Sequence, residues 1–203
     1  MIKPKNIVLD IGNVLGHFRW ESVFTDLMGL NDKEFDELAA CTVRGNMWAE
    51  LDRGEMSDEE VIEACIALNP AMEDKIREFF SYLGDLVEDY DYSYDWIREM
   101  KQAGYKVYIL SNYGDTSFNN CRRNGYLGFV DDADGAVISY EVKRVKPHKE
   151  IYEALLEKYN LKAEECLFFD DLKANVDGAI ACGMQAVQFT DITEAKKLIA
   201  SFN

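Results

Sequence analysis

Asn6–Phe18 reads NIVLDIGNVLGHF, and the rest of the chain is arranged around it. Three apolar residues, Ile7-Val8-Leu9, run into Asp10; Ile11-Gly12-Asn13 follows, and the chain turns apolar again at Val14-Leu15. A short apolar run of this kind makes a parallel strand covered on both faces. A carboxylate at the C-terminal end of such a strand stands where open α/β sheets hold their ligands. Gly12 lets the backbone bend sharply or approach a ligand closely. A plainer reading is a strand, a turn and an aspartate that caps the next helix, and residues farther along tell against it.

Outward from this stretch, Trp20–Ala103 reads as helix upon helix. Asn31-Asp32-Lys33-Glu34 and Ser57-Asp58-Glu59-Glu60 both have capping-box spacing ahead of an apolar helical stripe. Asn69-Pro70 reads as a cap with proline at the first helical position, and Ile76, Phe79, Phe80 and Leu83 continue that helix. No strand of comparable quality occurs before Lys106, so the helical block is an insert. The acidic, tyrosine-rich patch Glu88–Asp95 reads as its return to the core.

Strand–helix alternation follows. Val107–Leu110 is a strand ending in Ser111-Asn112, and a short strand lies near Ala136–Ser139. Cys166–Phe169 is a strand ending in Asp170-Asp171, and Ala186–Phe189 is the last. Helices are predicted over Thr116–Arg123, Lys149–Tyr159, Ala174–Cys182 and Thr193–Ser201. The fold class is therefore α/β, a doubly wound parallel sheet with an inserted all-helical cap. Its core takes residues 1–15 and 96–203, and the cap takes 16–95.

Composition narrows the function. The 203 residues carry 38 acidic against 22 basic side chains, a formal net charge of −16. Such a surface repels phosphate backbones and anionic lipid, so neither nucleic acid nor membrane is an expected partner. No apolar stretch approaches the ~18–20 residues of a spanning helix. Five cysteines without CxxC spacing and no signal-peptide core point to a reduced, cytoplasmic protein. His17 and His148 are too far apart to suggest a zinc cluster.

Three strands thus end in polar groups on one edge of a parallel sheet, with Lys146-Pro147 just ahead of a helix. Carboxylates crowded beside one lysine call for a cation, and hard oxygen donors suit Mg²⁺. With these residues the chain resembles the haloacid dehalogenase-like hydrolase superfamily, most closely its sugar-phosphate phosphatases with a D-x-G-N-V first motif. The motifs are Asp10–Leu15, Leu110-Ser111-Asn112, Lys146-Pro147 and Phe168–Asn175.

The resemblance implies roles. Asp10 would be the nucleophile, ionised at pH 7, forming an aspartyl-phosphate and also binding the metal. The Gly12 carbonyl and Asp171 would complete the metal ligands, with Asp170 beside them and Asn175 one layer out. Ser111 and the Asn112 N–H would hold the phosphoryl oxygens, Asn13 would line the substrate, and Lys146 would neutralise charge. The substrate would be a small phosphorylated metabolite such as a sugar phosphate, and the protein a monomer or homodimer. Arg44, Trp48 and Arg53 of the cap are candidate substrate contacts.

Two departures from the family pattern matter. Gly12 stands where most phosphatases of the superfamily have a second aspartate, the acid that protonates the leaving group. That help is worth ~10²–10⁴ in rate, so a steep dependence on leaving-group acidity is expected, with His17 the one substitute acid in view. Lys143 stands where many relatives have glycine, placing a cation near the site. The rival readings are a metal-independent dehalogenase and a catalytically silent binding protein that lost its acid at Gly12.

Overall fold

The computed structural model describes residues 2–202. Its main sheet has five parallel strands in the order β5-β4-β1-β6-β7: β1 is Asn6–Leu9, β4 Lys106–Ser111, β5 Gly135–Ile138, β6 Cys166–Asp170 and β7 Gln185–Gln188. The apolar runs explain the centre. All four residues of β1 and all five of β6 are buried. With a side-chain period of two, Ile7 and Leu9 join one core layer and Val8 the other. Helices cover both layers: Ser93–Gln102 and Ile192–Ala200 pack on the first, Lys149–Lys158 and Lys173–Ala181 on the second.

The helices of the insert gather around an apolar cluster of their own, which includes Phe24, Leu38, Val61, Ile76 and Phe79. Both capping boxes form, at Asn31 with Glu34 and at Ser57 with Glu60. They open the helices Asp32–Cys41 and Asp58–Leu68, and the helix Asn46–Arg53 lies between these two in sequence.

Three details differ from the sequence reading. The insert is rooted in a two-stranded antiparallel sheet, β2 (Gly16–Phe18) against β3 (Val87–Asp89). Three-residue strands carry too little periodicity to be seen alone; pairing across the insert makes them. The patch expected as a return therefore splits into β3 and the start of the helix Ser93–Gln102. After Asn69, Pro70–Met72 is a 3₁₀ turn, the helix covers Glu73–Ser81, and Leu83 lies in a further 3₁₀ turn. All five cysteines are unpaired. Among the described residues no helix is long and apolar enough to cross a membrane.

Candidate active site

Chain order around β1 decides where the site lies. The chain leaves β1 towards β4 and β5 on one side, then returns to β6 and β7 on the other. β1 is thus the switch point of the sheet, and its C-terminal end opens a crevice. Leu9 is level with Ile109 and Phe169, so Asp10 emerges beside the ends of β4 and β6. The Asp10 N–H donates to the Phe169 carbonyl at 3.0 Å, which keeps the register past the last ladder residue.

Lys146 is almost fully buried, with only 4% of its surface exposed. Its ammonium lies 2.9 Å from Asp10 Oδ1 and 2.7 Å from Asp170 Oδ2, and donates to the Leu110 carbonyl at 3.0 Å. Three protons meet three acceptors, so the buried cation is fully satisfied. Burial acts to lower its pKa, but Asp10 and Asp170 outweigh this and hold it raised. The peptide bond from Lys146 to Pro147 is cis.

The carboxylates divide their work. Asp170, fully buried, is saturated with donors: Lys146, the Leu172 N–H on Oδ1 at 2.8 Å, and Asn175 Nδ2 at 3.0 Å from each oxygen. Asp171 is half-buried and accepts from Asn13 Nδ2 at 2.9 Å. Carboxylate oxygens of Asp10, Asp170 and Asp171 all lie within 4.8 Å of one another. Three acids against one ammonium leave the cluster net negative, and its donors are hard oxygens, so it fits a divalent cation such as Mg²⁺. Asp170 is the least free of the three to give an oxygen to it.

Burial raises the Asp10 carboxyl to about 7; Lys146 opposes the rise and Asp170 adds to it. In the metal-free protein desolvation thus outweighs the neighbouring lysine. Burial also raises Asp171, which Asn13 opposes.

Other predicted residues fall as follows. Ser111 is buried, and its hydroxyl hydrogen-bonds with Asp10. The Asn112 side chain clasps the Lys146 main chain, donating to its carbonyl at 3.0 Å and accepting from its N–H at 2.8 Å. Asn13, at a left-handed φ of 55°, holds Asp171 and accepts from the Phe18 N–H at 3.3 Å. Its amide is thus spent within the site. Gly12, Asn13, Ser111, Asn112 and Asn175 all line one cavity of about 430 Å³ with Asp10, Lys146 and Asp171.

The insert supplies the opposite wall, largely hydrocarbon: Val43, Trp48, Ala49, Leu51 and Leu86. Trp48 is there, but Arg44 and Arg53 are not. Arg44 lies over the Trp20 and Phe35 rings and pairs with Asp36 at 3.3 Å; Arg53 pairs with Glu50 at 3.2 Å. His17 is exposed in β2, stacked on Tyr90 with ring centroids 6.3 Å apart, and lies outside the cavity lining. Lys143 donates to the Gly54 carbonyl of the insert and is not among the residues lining the cavity.

Asp52 was missed. It is the last but one residue of the helix Asn46–Arg53, and it lines the cavity. Burial pushes its carboxyl up to about 7; Lys146 opposes this, Asp10 adds to it, and a hydrogen bond from the Gly114 N–H lowers it. In sequence it sits in Leu51-Asp52-Arg53-Gly54, where it reads as an ordinary polar helix end.

Comparison with known proteins agrees with this geometry. A sesquiterpene phosphatase of Aspergillus oryzae is 25% identical over 187 residues, covering 92% of this chain and 90% of its own. The pyrophosphatase PpaX of Bacillus cereus is 31% identical over 118 residues, and the chain spans about half its length. Among solved structures, the enzyme BT-2542 of Bacteroides thetaiotaomicron in its magnesium complex superposes with a TM-score of 0.75 at 21% identity, over 96% of this chain and 98% of that one. An L-2-haloacid dehalogenase of Xanthobacter autotrophicus superposes at 0.66 and 17% identity, over 98% and 83%. Residues 4–183 match the haloacid dehalogenase-like hydrolase family, and the chain is a member of it.

Proposed function

We propose that the protein is a Mg²⁺-dependent phosphatase of a small phosphorylated metabolite, acting through an aspartyl-phosphate on Asp10. The observation that carries this reading is the three-carboxylate cluster within 4.8 Å beside buried Lys146. A halide-displacing aspartate needs no such cluster, and a silent binding protein has no use for a buried ammonium aimed at its nucleophile. Asp10, Asp171 and the Gly12 carbonyl would hold the metal, with Asp170 adjoining. The bound ion would offset charge on the phosphoryl oxygens and keep Asp10 ionised.

The chain's own groups then have distinct tasks. A carboxylate oxygen of Asp10 attacks phosphorus. Lys146 stabilises negative charge on Asp10 and on the incoming phosphoryl group. Ser111 and the Asn112 N–H bind phosphoryl oxygens, while the Asn112 side chain keeps Lys146 in place. Asn175 and Leu172 hold Asp170, and Asp170 in turn holds Lys146. Residues 16–95 act as a cap that shields the reaction from water and selects the substrate.

A sugar phosphate is the first substrate reading, with Trp48 on the insert's side of the cavity. The hydrocarbon wall favours a second reading, an ester whose organic part is largely apolar, such as an aryl or terpenyl monophosphate. Phosphate release with Mg²⁺ from a panel spanning both classes tests the proposal. Hydrolysis abolished by EDTA and by Asp10→Asn is expected. Turnover that survives either would overturn it.

A further inference from the structure

We propose that Asp52, carried to the cavity by the inserted helices, is the acid that protonates the leaving oxygen, the task for which Gly12 leaves the β1 loop without a carboxyl. The inference rests on the phosphatase reading and assigns a catalytic residue of that same site.

Placement is the first argument. Asp52 and the Asp10–Lys146 pair line one cavity from opposite sides, Asp52 from the insert and the pair from the sheet. A phosphate ester seated with phosphorus at Asp10 directs its ester oxygen away from the sheet, towards the insert. Leu51 and Asp52 both meet Gly114 of the loop that follows β4.

The second argument is fixation. The Asp52 carbonyl accepts from Ser139 Oγ at 2.6 Å, and its carboxylate accepts from the Gly114 N–H. Gly114 eases this approach by lacking a side chain: a Cβ there would stand 3.1 Å from both the Leu51 side chain and its carbonyl, tighter than most such contacts. Just beyond, Lys143 reaches the Gly54 carbonyl and Arg144 lies 3.9 Å from Glu55. The core thus grips the turn that carries Asp52 from several sides.

Charge is the third. The ionisable groups facing Asp52 are Lys146, Asp10 and the buried Tyr113 hydroxyl; Glu50 and Arg53 on its own helix pair with each other. Burial, with Asp10 adding to it and Lys146 opposing it, raises the Asp52 carboxyl to about 7, so a share of it is protonated at neutral pH. That is the state a proton donor needs.

The step balances. Asp10 forms a bond to phosphorus, the ester P–O bond breaks, and its electron pair stays on the leaving oxygen. That oxygen takes the Asp52 proton, giving the free alcohol, an aspartyl-phosphate and an Asp52 carboxylate. Water then attacks phosphorus, passes a proton back to Asp52, and releases inorganic phosphate as the bond to Asp10 breaks.

The test is a series of phosphomonoesters from p-nitrophenyl to primary alkyl, assayed as kcat/KM with Mg²⁺ on wild type and Asp52→Asn. Asparagine keeps the shape and the hydrogen-bonding reach but donates no proton. The expected result is a shallow dependence on leaving-group acidity in wild type and a steep one in Asp52→Asn. The variant should lose ~10²-fold or more on alkyl esters and under about tenfold on p-nitrophenyl phosphate. Its alkaline pH limb should vanish as well. An equal loss on all esters, as for a residue that only binds substrate, would overturn the proposal, as would no loss. If the variant does not fold, the wild-type series decides, because a steep wild-type slope means no acid is present. Failure of wild type to hydrolyse any ester, p-nitrophenyl phosphate included, would instead sink the phosphatase reading and this proposal with it.

Discussion

Asn112 holds Lys146 by both ends of its peptide unit: the amide nitrogen donates to the lysine carbonyl at 3.0 Å, and the amide oxygen accepts from the lysine N–H at 2.8 Å. The end of β4 is thereby tied to a loop 34 residues later, and the ammonium is aimed at Asp10. Asn112→Ala removes both bonds. It should cost about 1–3 kcal/mol of stability and lower turnover more than it raises KM, because the displaced group is Lys146. Thermal unfolding and steady-state kinetics check this. Unchanged turnover in a folded variant would show that the clasp does not position the lysine.

Lys146→Met leaves two buried carboxylates without their cation. Breaking a buried pair from one side costs about 3–5 kcal/mol, far more than any of the exposed pairs, such as Lys33 with Glu37. Denaturant unfolding of the metal-free protein should show that loss at pH 8 and less of it at pH 5, where Asp10 takes up a proton. Equal losses at the two values would mean the carboxylates are not the reason.

The metal-free wild type should itself become less stable as pH rises from 5 to 8. Burial raises the Asp10 and Asp52 carboxyls to about 7, above the ordinary aspartate value of 3.8, so the folded state binds more protons than the unfolded state between those limits. The stabilising protonation is complete only below about 4 and is lost as pH climbs through 7. With two such groups the fall should be on the order of 5 kcal/mol, and millimolar Mg²⁺ should recover most of it at pH 8. Denaturation midpoints with EDTA and with Mg²⁺ measure both effects. A stability that rises over this range would contradict the buried, cation-seeking cluster.

Gly54 ends the helix that carries Asp52 with a left-handed φ of +68°, and a Cβ there would stand 3.0 Å from the Tyr140 Cβ. Gly54→Ala should cost about 1–2 kcal/mol and loosen the insert from the Ser139–Arg144 segment. Activity on alkyl phosphates should fall further than activity on p-nitrophenyl phosphate, echoing Asp52→Asn more weakly. An equal fall on both would separate this turn from proton transfer.

Asp10→Asn should abolish phosphate release and weaken Mg²⁺ binding measured by calorimetry, while leaving the metal-free protein as stable as wild type or more so. Removing one of three crowded acids relieves repulsion, a case of function held at the expense of stability. Wild-type Mg²⁺ affinity in this variant would exclude Asp10 from the metal site.

How much of this was legible in the chain depends on the range of the physics. Runs such as Ile7–Leu9 and Cys166–Phe169, and the boxes at Asn31 and Ser57, act over a few residues, so strands, capped helices and the α/β class could be read directly. The polar strand ends followed, because parallel strands put their C-termini on one edge. Parallel topology alone therefore brings Asp10, Ser111, Asp170 and Asp171 together. Tertiary structure alone decided the rest. β2 and β3 exist only because residues more than sixty positions apart pair. That the side-chain amides of Asn13 and Asn112 hold Asp171 and Lys146 is visible only in space. His17, near the nucleophile in sequence, stacks on Tyr90, while Asp52, 42 residues away in an unremarkable helix end, lines the cavity with Asp10. Desolvation depends on what surrounds a carboxylate in space, and no local pattern encodes that; Asp10 and Asp52 are lifted by neighbours distant in the chain.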